Sequence, residues 1–129
     1  MSKRQESRAW VMQYLYENLV QQYNGPHQST PPENLETTYI DRMIEGIFEY
    51  IHTIDKAIES YAHQPLNKID AIELSILRLS SFEILFCPDI PNNVSINEAT
   101  DLCKRFGSTG SHKFINATLD AVAKNQLIP

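Results

Sequence analysis

The fold is decided by residues 69–86, which read IDAIELSILRLSSFEILF. Apolar side chains in this stretch occur on most sides of a helix and leave little polar surface. A helix of this kind is covered by its neighbours, so we expect it to be the central helix of the molecule. Residues 87–91, CPDIP, follow directly and predict its end, because proline cannot continue the helical hydrogen-bond ladder.

The preceding segments also show helical periodicity. An N-terminal helix is predicted over about residues 6–22, and residues 38–63 carry one apolar stripe at spacings of three and four. Within that stripe, Gly46 marks either a close helix contact or a break between two helices. Asn67, with Asp70 three residues later, is predicted to cap the central helix. Residues 24–36 are polar and contain prolines, which predicts a flexible loop.

Two more helices are predicted after the prolines. Residues 95–98, SINE, have the pattern of a capping box that starts the first of them. Gly107 is expected to end that helix in a left-handed conformation. Ser111 is expected to cap the last helix. Since no segment has a convincing strand pattern, the predicted fold class is all-α, and 129 residues suit a single domain that needs no metal or disulfide to fold.

Composition narrows the functional classes. With 42% hydrophobic and 21% charged residues, the chain is expected to be globular. No stretch approaches the roughly 20 apolar residues of a membrane helix, and the first residues do not have the pattern of a secretory signal. Cys87 and Cys103 are too few for a disulfide framework, which favours a reducing cytoplasm. We therefore expect a cytoplasmic protein with no membrane contact.

The net charge of -5 is unevenly distributed. Residues 33–61 hold seven acids and two bases, which accounts for all of it. Residues 1–8 hold three bases and one acid, and residues 102–119 hold three bases, His112 and no acid. The acidic segment is interpreted as a solvated helix face. The two basic segments predict phosphate contacts if the fold brings them together.

Signals of catalysis are absent from the sequence. It has no Gly-rich phosphate loop, no Cys-x-x-Cys motif and no histidine pair spaced to bind zinc. We therefore predict no catalytic residue, no metal site and no cofactor. Arg78 and Glu83 stand out as charged residues in the most apolar helix, and we interpret them as partly buried ion pairs or loop caps. The alternative is that Arg78 and Glu83 bind a partner or take part in catalysis.

Motifs in the C-terminal half resemble those of the NusB family. They are Asp89-Ile90-Pro91, VSINEA at residues 94–99, KRFG at 104–107, SHKFIN at 111–116, and Leu119-Asp120. The central helix also resembles that of the family, at Ile76-Leu77-Arg78-Leu79 with Phe82-Glu83. Weaker similarity lies in the first helix, at Arg8, Gln13, Leu15 and Tyr16. The strong similarity covers roughly residues 69–123.

The resemblance implies a single domain, residues 1–129, of about six to seven helices in two packed sub-bundles, about residues 1–64 and 65–129. It implies a non-catalytic bacterial transcription antitermination factor. Such a factor binds the boxA element of ribosomal RNA transcripts together with NusE, a protein of the small ribosomal subunit, and joins the transcribing RNA polymerase. Two alternatives are a helical scaffold that dimerises without RNA, and an accessory domain of a ribosomal RNA methyltransferase.

The resemblance and the residue types together suggest the site. Cations hold the phosphates of single-stranded RNA and aromatic rings stack on its bases. Gln5 and Glu6 occupy family positions that are often arginine, which predicts weak RNA affinity for the chain alone. For Tyr16 and Phe114, plain helix packing is the alternative role. The predicted RNA-binding residues are Arg4, Arg8, Tyr16, Lys104, Arg105, Lys113 and Phe114, and the predicted NusE surface contains Tyr16 and Glu73.

Overall fold

The computed structural model describes residues 1–21 and 30–126, apart from the side chain of Gln21. Over these residues it contains six α-helices, a short 3-10 turn at Leu66–Lys68 and no strand, which confirms the all-α prediction. The first part of the predicted loop, residues 24–29, lies outside the described residues. The helices are α1 (Lys3–Gln21), α2 (Thr37–Glu49), α3 (Ile51–Ala62), α4 (Ala71–Phe86), α5 (Asn92–Phe106) and α6 (His112–Lys124).

Helix α4 is the centre of the molecule, as its sequence predicts. Eleven of its sixteen residues are buried. All five other helices pack on it. Burial of each large aliphatic side chain of α4 contributes about 1.5–3 kcal/mol to folding, so this helix makes a large contribution to hydrophobic stabilisation. Because helices from both halves of the chain contact α4, the division into sub-bundles of residues 1–64 and 65–129 stays a prediction.

Gly46 lies at a close contact between helices, and the break between α2 and α3 comes four residues later, at Tyr50. A Cβ atom at Gly46 would lie 2.1 Å from Cζ of Phe82, so only glycine lets α2 approach α4 this closely. The break between α2 and α3 occurs at Tyr50, whose N–H donates to the Gly46 carbonyl. Of the two roles that the sequence allows for Gly46, the structure selects the contact.

The start of α4 and the start of α5 differ from the capping predictions. Asp70, and not Asn67, is the N-cap of α4, and its carboxylate accepts from the amides of Ile72 and Glu73. Helix α5 begins at Asn92, three residues before the predicted capping box, so Ser95 lies inside the helix. The Ser95 hydroxyl donates to Glu83 at 2.7 Å, and this tertiary contact replaces the predicted cap.

The turn between α5 and α6 also corrects two capping predictions. Gly107 follows the last residue of α5 but has an extended conformation, with φ -90° and ψ -175°. The left-handed glycine of this turn is Gly110, with φ 84°. Ser111 is the N-cap residue of α6, but its hydroxyl donates to the Ser108 carbonyl and accepts no hydrogen bond from a helix amide. The turn is therefore held by its own hydrogen bonds.

Further features bear on the predicted functional classes. Among the described residues, no helix is long and apolar enough to cross a membrane. Within the same ranges, no three His, Cys, Asp or Glu side chains are grouped to hold a metal ion. Cys87 and Cys103 are unpaired and buried, and burial raises the pKa of Cys87 to about 11. Cys103 is thus a small core residue, as its position on the apolar face predicts.

Candidate nucleic-acid interface

The two basic segments of the sequence meet in the structure. The Arg105 guanidinium near the end of α5 lies 2.9 Å from the Glu6 carboxylate in the first turns of α1. Two turns earlier on α5, Glu98 accepts a hydrogen bond of 3.2 Å from the Gln5 side chain. Together these contacts form an open depression, which we call the α1–α5 depression. It is lined by Met1, Gln5, Glu98, Asp101, Leu102, Lys104 and Arg105.

Lys104 and Arg105 are the cations of the α1–α5 depression, and both are exposed. Arg105 is paired with Glu6 and lies 4.7 Å above the ring of Phe106, which fixes the guanidinium at the rim. The Lys104 side chain has no ion pair or hydrogen bond with any other described residue. Its ammonium group is therefore not used by the fold as the structure describes it. Glu98 and Asp101 balance these two charges, so the depression carries mixed charge.

Arg4 lies on another face of α1 and is held at its position. Its guanidinium forms a two-point ion pair with Glu36, at 2.9 and 3.2 Å, and lies 4.3 Å above the ring of Tyr39. The side chain is 39% exposed, so it remains partly accessible to solvent. Arg4 is absent from the lining of the α1–α5 depression and belongs to the contact between α1 and the start of α2.

Arg8 is buried and has a structural role. It is 4% exposed, and its guanidinium forms a two-point ion pair with Glu83 of α4, at 3.0 and 3.2 Å. Burial by itself lowers the pKa of Arg8, but the Glu83 carboxylate more than compensates and raises it. Tyr39 and Ser95 also donate hydrogen bonds to Glu83. The donors of Arg8 are thus used inside the protein, and direct contact between Arg8 and RNA stays a prediction.

This buried cluster of Arg8, Tyr39, Glu83 and Ser95 joins four helices, α1, α2, α4 and α5. Burial, and then the charge of Glu83, raise the pKa of Tyr39, so its hydroxyl stays protonated and remains a donor. The cluster fixes the first half of α1 against the helices beside it. The buried ion pair predicted for Glu83 is confirmed, and Arg78 forms the second predicted pair, with Asp55 at 2.9 Å.

The remaining predicted residues lie elsewhere on the surface. Lys113 is exposed in the first turn of α6, while Phe114 beside it is half-buried and packs against the core. Tyr16 is half-buried on α1. Glu73 on α4 is only 9% exposed, and burial, followed by the charge of Asp70, raises the pKa of its carboxyl. None of these four side chains lines the α1–α5 depression as the structure describes it.

Trp10 is a candidate residue that the sequence does not single out. It lines a second depression with Glu6, Gln13, Asn34 and Arg105. This second depression adjoins the α1–α5 depression, because Arg105 borders both. Its ring is half-buried and stacks on Tyr14, with 5.4 Å between the ring centroids. In the sequence, Trp10 is one more member of an apolar stripe. Its partial exposure beside an arginine depends on tertiary packing and suits a nucleobase.

Comparison with known proteins gives a consistent result. The family model described as "NusB family" matches residues 5–124. The transcription antitermination protein NusB of Clostridium perfringens is 38% identical, over 95% of this chain and 97% of its own. The protein of the same name from Buchnera aphidicola is 36% identical, over 97% and 93% of the two chains. The solved structure of T. maritima NusB superposes with a TM-score of 0.83 at 30% identity, covering 95% of this chain and 92% of the other.

Proposed function

The chain belongs to the NusB family of transcription antitermination proteins, and from this we propose that it binds boxA-type single-stranded RNA together with NusE. The resulting complex joins the transcribing RNA polymerase in the bacterial cytoplasm. In this role the protein carries out no catalysis and needs no cofactor. Its contribution is to hold an RNA segment and a basic protein partner on one helical surface.

The observation that carries the proposal is the meeting of the two basic segments at the α1–α5 depression. Lys104 and Arg105 are brought beside the first turns of α1, although about 100 residues separate the two regions in the chain. Two adjacent cations at the rim of a depression suit consecutive phosphates of a single strand. Trp10 in the adjoining depression supplies an aromatic face for a base next to those phosphates.

The remaining predicted residues extend this surface. Arg4 and Lys113 would hold the strand on either side of the depression, with Tyr16 and Phe114 as the aromatic contacts. Tyr16 and Glu73 are the proposed contacts to NusE. Arg8 acts indirectly, because its ion pair with Glu83 positions the part of α1 that carries the surface.

The mixed charge of the depression supports a dependence on the partner. Glu98 and Asp101 offset the positive charges of Lys104 and Arg105, so the free protein attracts RNA weakly. A basic partner such as NusE adds the missing positive charge next to the same RNA. Affinity for boxA is therefore expected to be a property of the pair and not of either protein alone.

A titration of labelled boxA RNA tests this proposal. Fluorescence anisotropy is measured with this protein, with NusE and with the equimolar mixture, against a scrambled RNA of equal length and over a salt series. The mixture should bind boxA more tightly than either protein alone and more tightly than it binds the scrambled RNA. Lys104→Ala should weaken binding and reduce the slope of log K against log salt by roughly 0.7, the value for one lost phosphate contact.

Light scattering after size-exclusion chromatography distinguishes the scaffold alternative in the same samples. A stable dimer that shows no gain in boxA binding with NusE would contradict the proposal and favour a dimerising scaffold. If the mixture binds boxA and the scrambled RNA equally well, the proposed RNA selectivity is wrong.

A further inference from the structure

We propose that Glu6 competes with RNA phosphate for Arg105, and that this internal carboxylate sets the RNA affinity of the α1–α5 depression. The inference rests on the proposed function and adds a residue that controls its strength. In the free protein the carboxylate accepts a hydrogen bond from Nη1 of Arg105, a donor that a phosphate would use. RNA binding at this position is then an exchange of one anion for another.

The geometry of the pair supports an exchange. Arg105 Nη1 and Glu6 Oε1 are 2.9 Å apart, and the two side chains are 38% and 40% exposed. Both groups are therefore reachable from solvent while they are paired. Glu6 lies in the first turn of α1, where the helix dipole favours a negative charge and helps to hold the carboxylate at the rim.

The surrounding charges show that Glu6, which borders the adjoining depression, differs from the two acids that line the α1–α5 depression. Glu98 accepts a hydrogen bond from Gln5. Asp101 lies one turn before Arg105 on the same helix but forms no ion pair with any described residue. Both acids repel RNA through space, whereas Glu6 also blocks a specific cation. This difference separates competition for Arg105 from simple charge repulsion.

The strength of the pair sets the size of the expected effect. An exposed ion pair contributes only a small free energy. A phosphate displaces it because charge-assisted, two-point hydrogen bonds to arginine are stronger. Removal of the competing carboxylate should therefore tighten RNA binding by about two- to fivefold, the factor that corresponds to a typical exposed pair.

Glu6→Gln is the test, and Asp101→Asn is its matched control. Each variant removes one negative charge from the neighbourhood of Arg105, but only Glu6→Gln removes the charge that is paired with Arg105. Binding of boxA RNA is measured by anisotropy for the full-length protein, with and without NusE. Glu6→Gln should bind about two- to fivefold more tightly than wild type and more tightly than Asp101→Asn. Circular dichroism should show equal helicity for all variants.

A double-mutant cycle identifies Arg105 as the group that is released. In an Arg105→Ala background, the gain from Glu6→Gln should fall to that of Asp101→Asn, because no guanidinium is left to compete for. If Glu6→Gln and Asp101→Asn tighten binding equally in the wild-type background, the competition is overturned and only charge repulsion operates.

The two RNA probes separate this inference from the proposed function. If every variant binds boxA and scrambled RNA alike, but Glu6→Gln still exceeds Asp101→Asn, boxA selectivity fails and the competition stands. If wild type with NusE prefers boxA while Glu6→Gln behaves like Asp101→Asn, the proposed function stands and the competition fails. No binding of either RNA by any variant overturns both.

Discussion

At the scale of single residues, the ion pair between Arg8 and Glu83 decides how the rest of the surface is held. Their side chains are 5% and 1% exposed, so both charges are almost completely removed from water. Removing two charges from water costs several kcal/mol for each ion, and the mutual attraction offsets this only with good geometry and further hydrogen bonds. Tyr39 and Ser95 provide those bonds to the Glu83 carboxylate. The pair is therefore satisfied but sensitive to the loss of either member.

We predict that Arg8→Ala destabilises the protein by about 3–5 kcal/mol, because Glu83 is left as an uncompensated buried charge. Urea denaturation followed by circular dichroism measures the change in the free energy of unfolding. The double variant Arg8→Met, Glu83→Leu should recover a large part of the loss, since apolar side chains of similar size can replace a buried pair. If Arg8→Ala instead keeps wild-type stability and weakens RNA binding, Arg8 contacts RNA directly.

Sequence reasoning identifies these residues but not their pairing. Arg8 and Glu83 both stand out, one in a basic segment and the other in an apolar helix. A pair separated by 75 positions in the chain depends on how α1 packs against α4, which periodicity does not specify. The same reason explains why Trp10 and the Glu6–Arg105 pair cannot be predicted. Their roles depend on neighbours about 20 to 100 residues away in the chain.

At the scale of helices, the sequence predicts which segments are helical and fails mainly at their ends. The apolar periodicity identifies the helices and the central position of α4, because burial of an apolar face is a property of the whole helix. A side-chain cap depends on one hydrogen bond, and the capping side chain can bond to another group instead. Ser95 has the right residues around it for a capping box, yet its hydroxyl binds Glu83 because that carboxylate is close and buried.

The contact between α2 and α4 at Gly46 leads to a prediction at this scale. Gly46→Ala places a methyl group within 2.1 Å of the Phe82 ring, so the two helices must separate or the ring must move. Overpacking of this kind typically costs about 1–3 kcal/mol, which exceeds the roughly 1 kcal/mol that alanine gains over glycine inside a helix. We expect a lower thermal midpoint for Gly46→Ala, measured by circular dichroism.

Phe82→Leu provides the control for Gly46→Ala because it removes the ring that the new methyl group meets. In that background, Gly46→Ala should be much less destabilising than in wild type, which is a coupling between two contacting residues. Equal destabilisation in both backgrounds would show that the effect arises within α2 and not from its contact with α4.

At the scale of the whole molecule, the distribution of charge matters more than its sum. A net charge of -5 disfavours a nucleic-acid ligand, but the acids are concentrated in residues 33–61 while the cations of the depression lie on α5. Several of these acids are already used inside the fold. Glu36 pairs with Arg4, and Asp55 pairs with Arg78. Three other acids are spaced by four residues on the exposed face of α2, where they face solvent: Asp41, Glu45 and Glu49.

We predict that the exposed acids of α2 reduce non-specific RNA binding through their long-range field. The triple variant Asp41→Asn, Glu45→Gln, Glu49→Gln should bind scrambled RNA more tightly than wild type at low salt, while its preference for boxA falls. The difference should shrink at about 0.15 M salt, where the Debye length is about 8 Å and distant charges are screened. Anisotropy titrations with both RNAs at low and physiological salt measure this. A gain that persists unchanged at high salt would contradict a field effect, because only a direct contact between α2 and the ligand escapes screening.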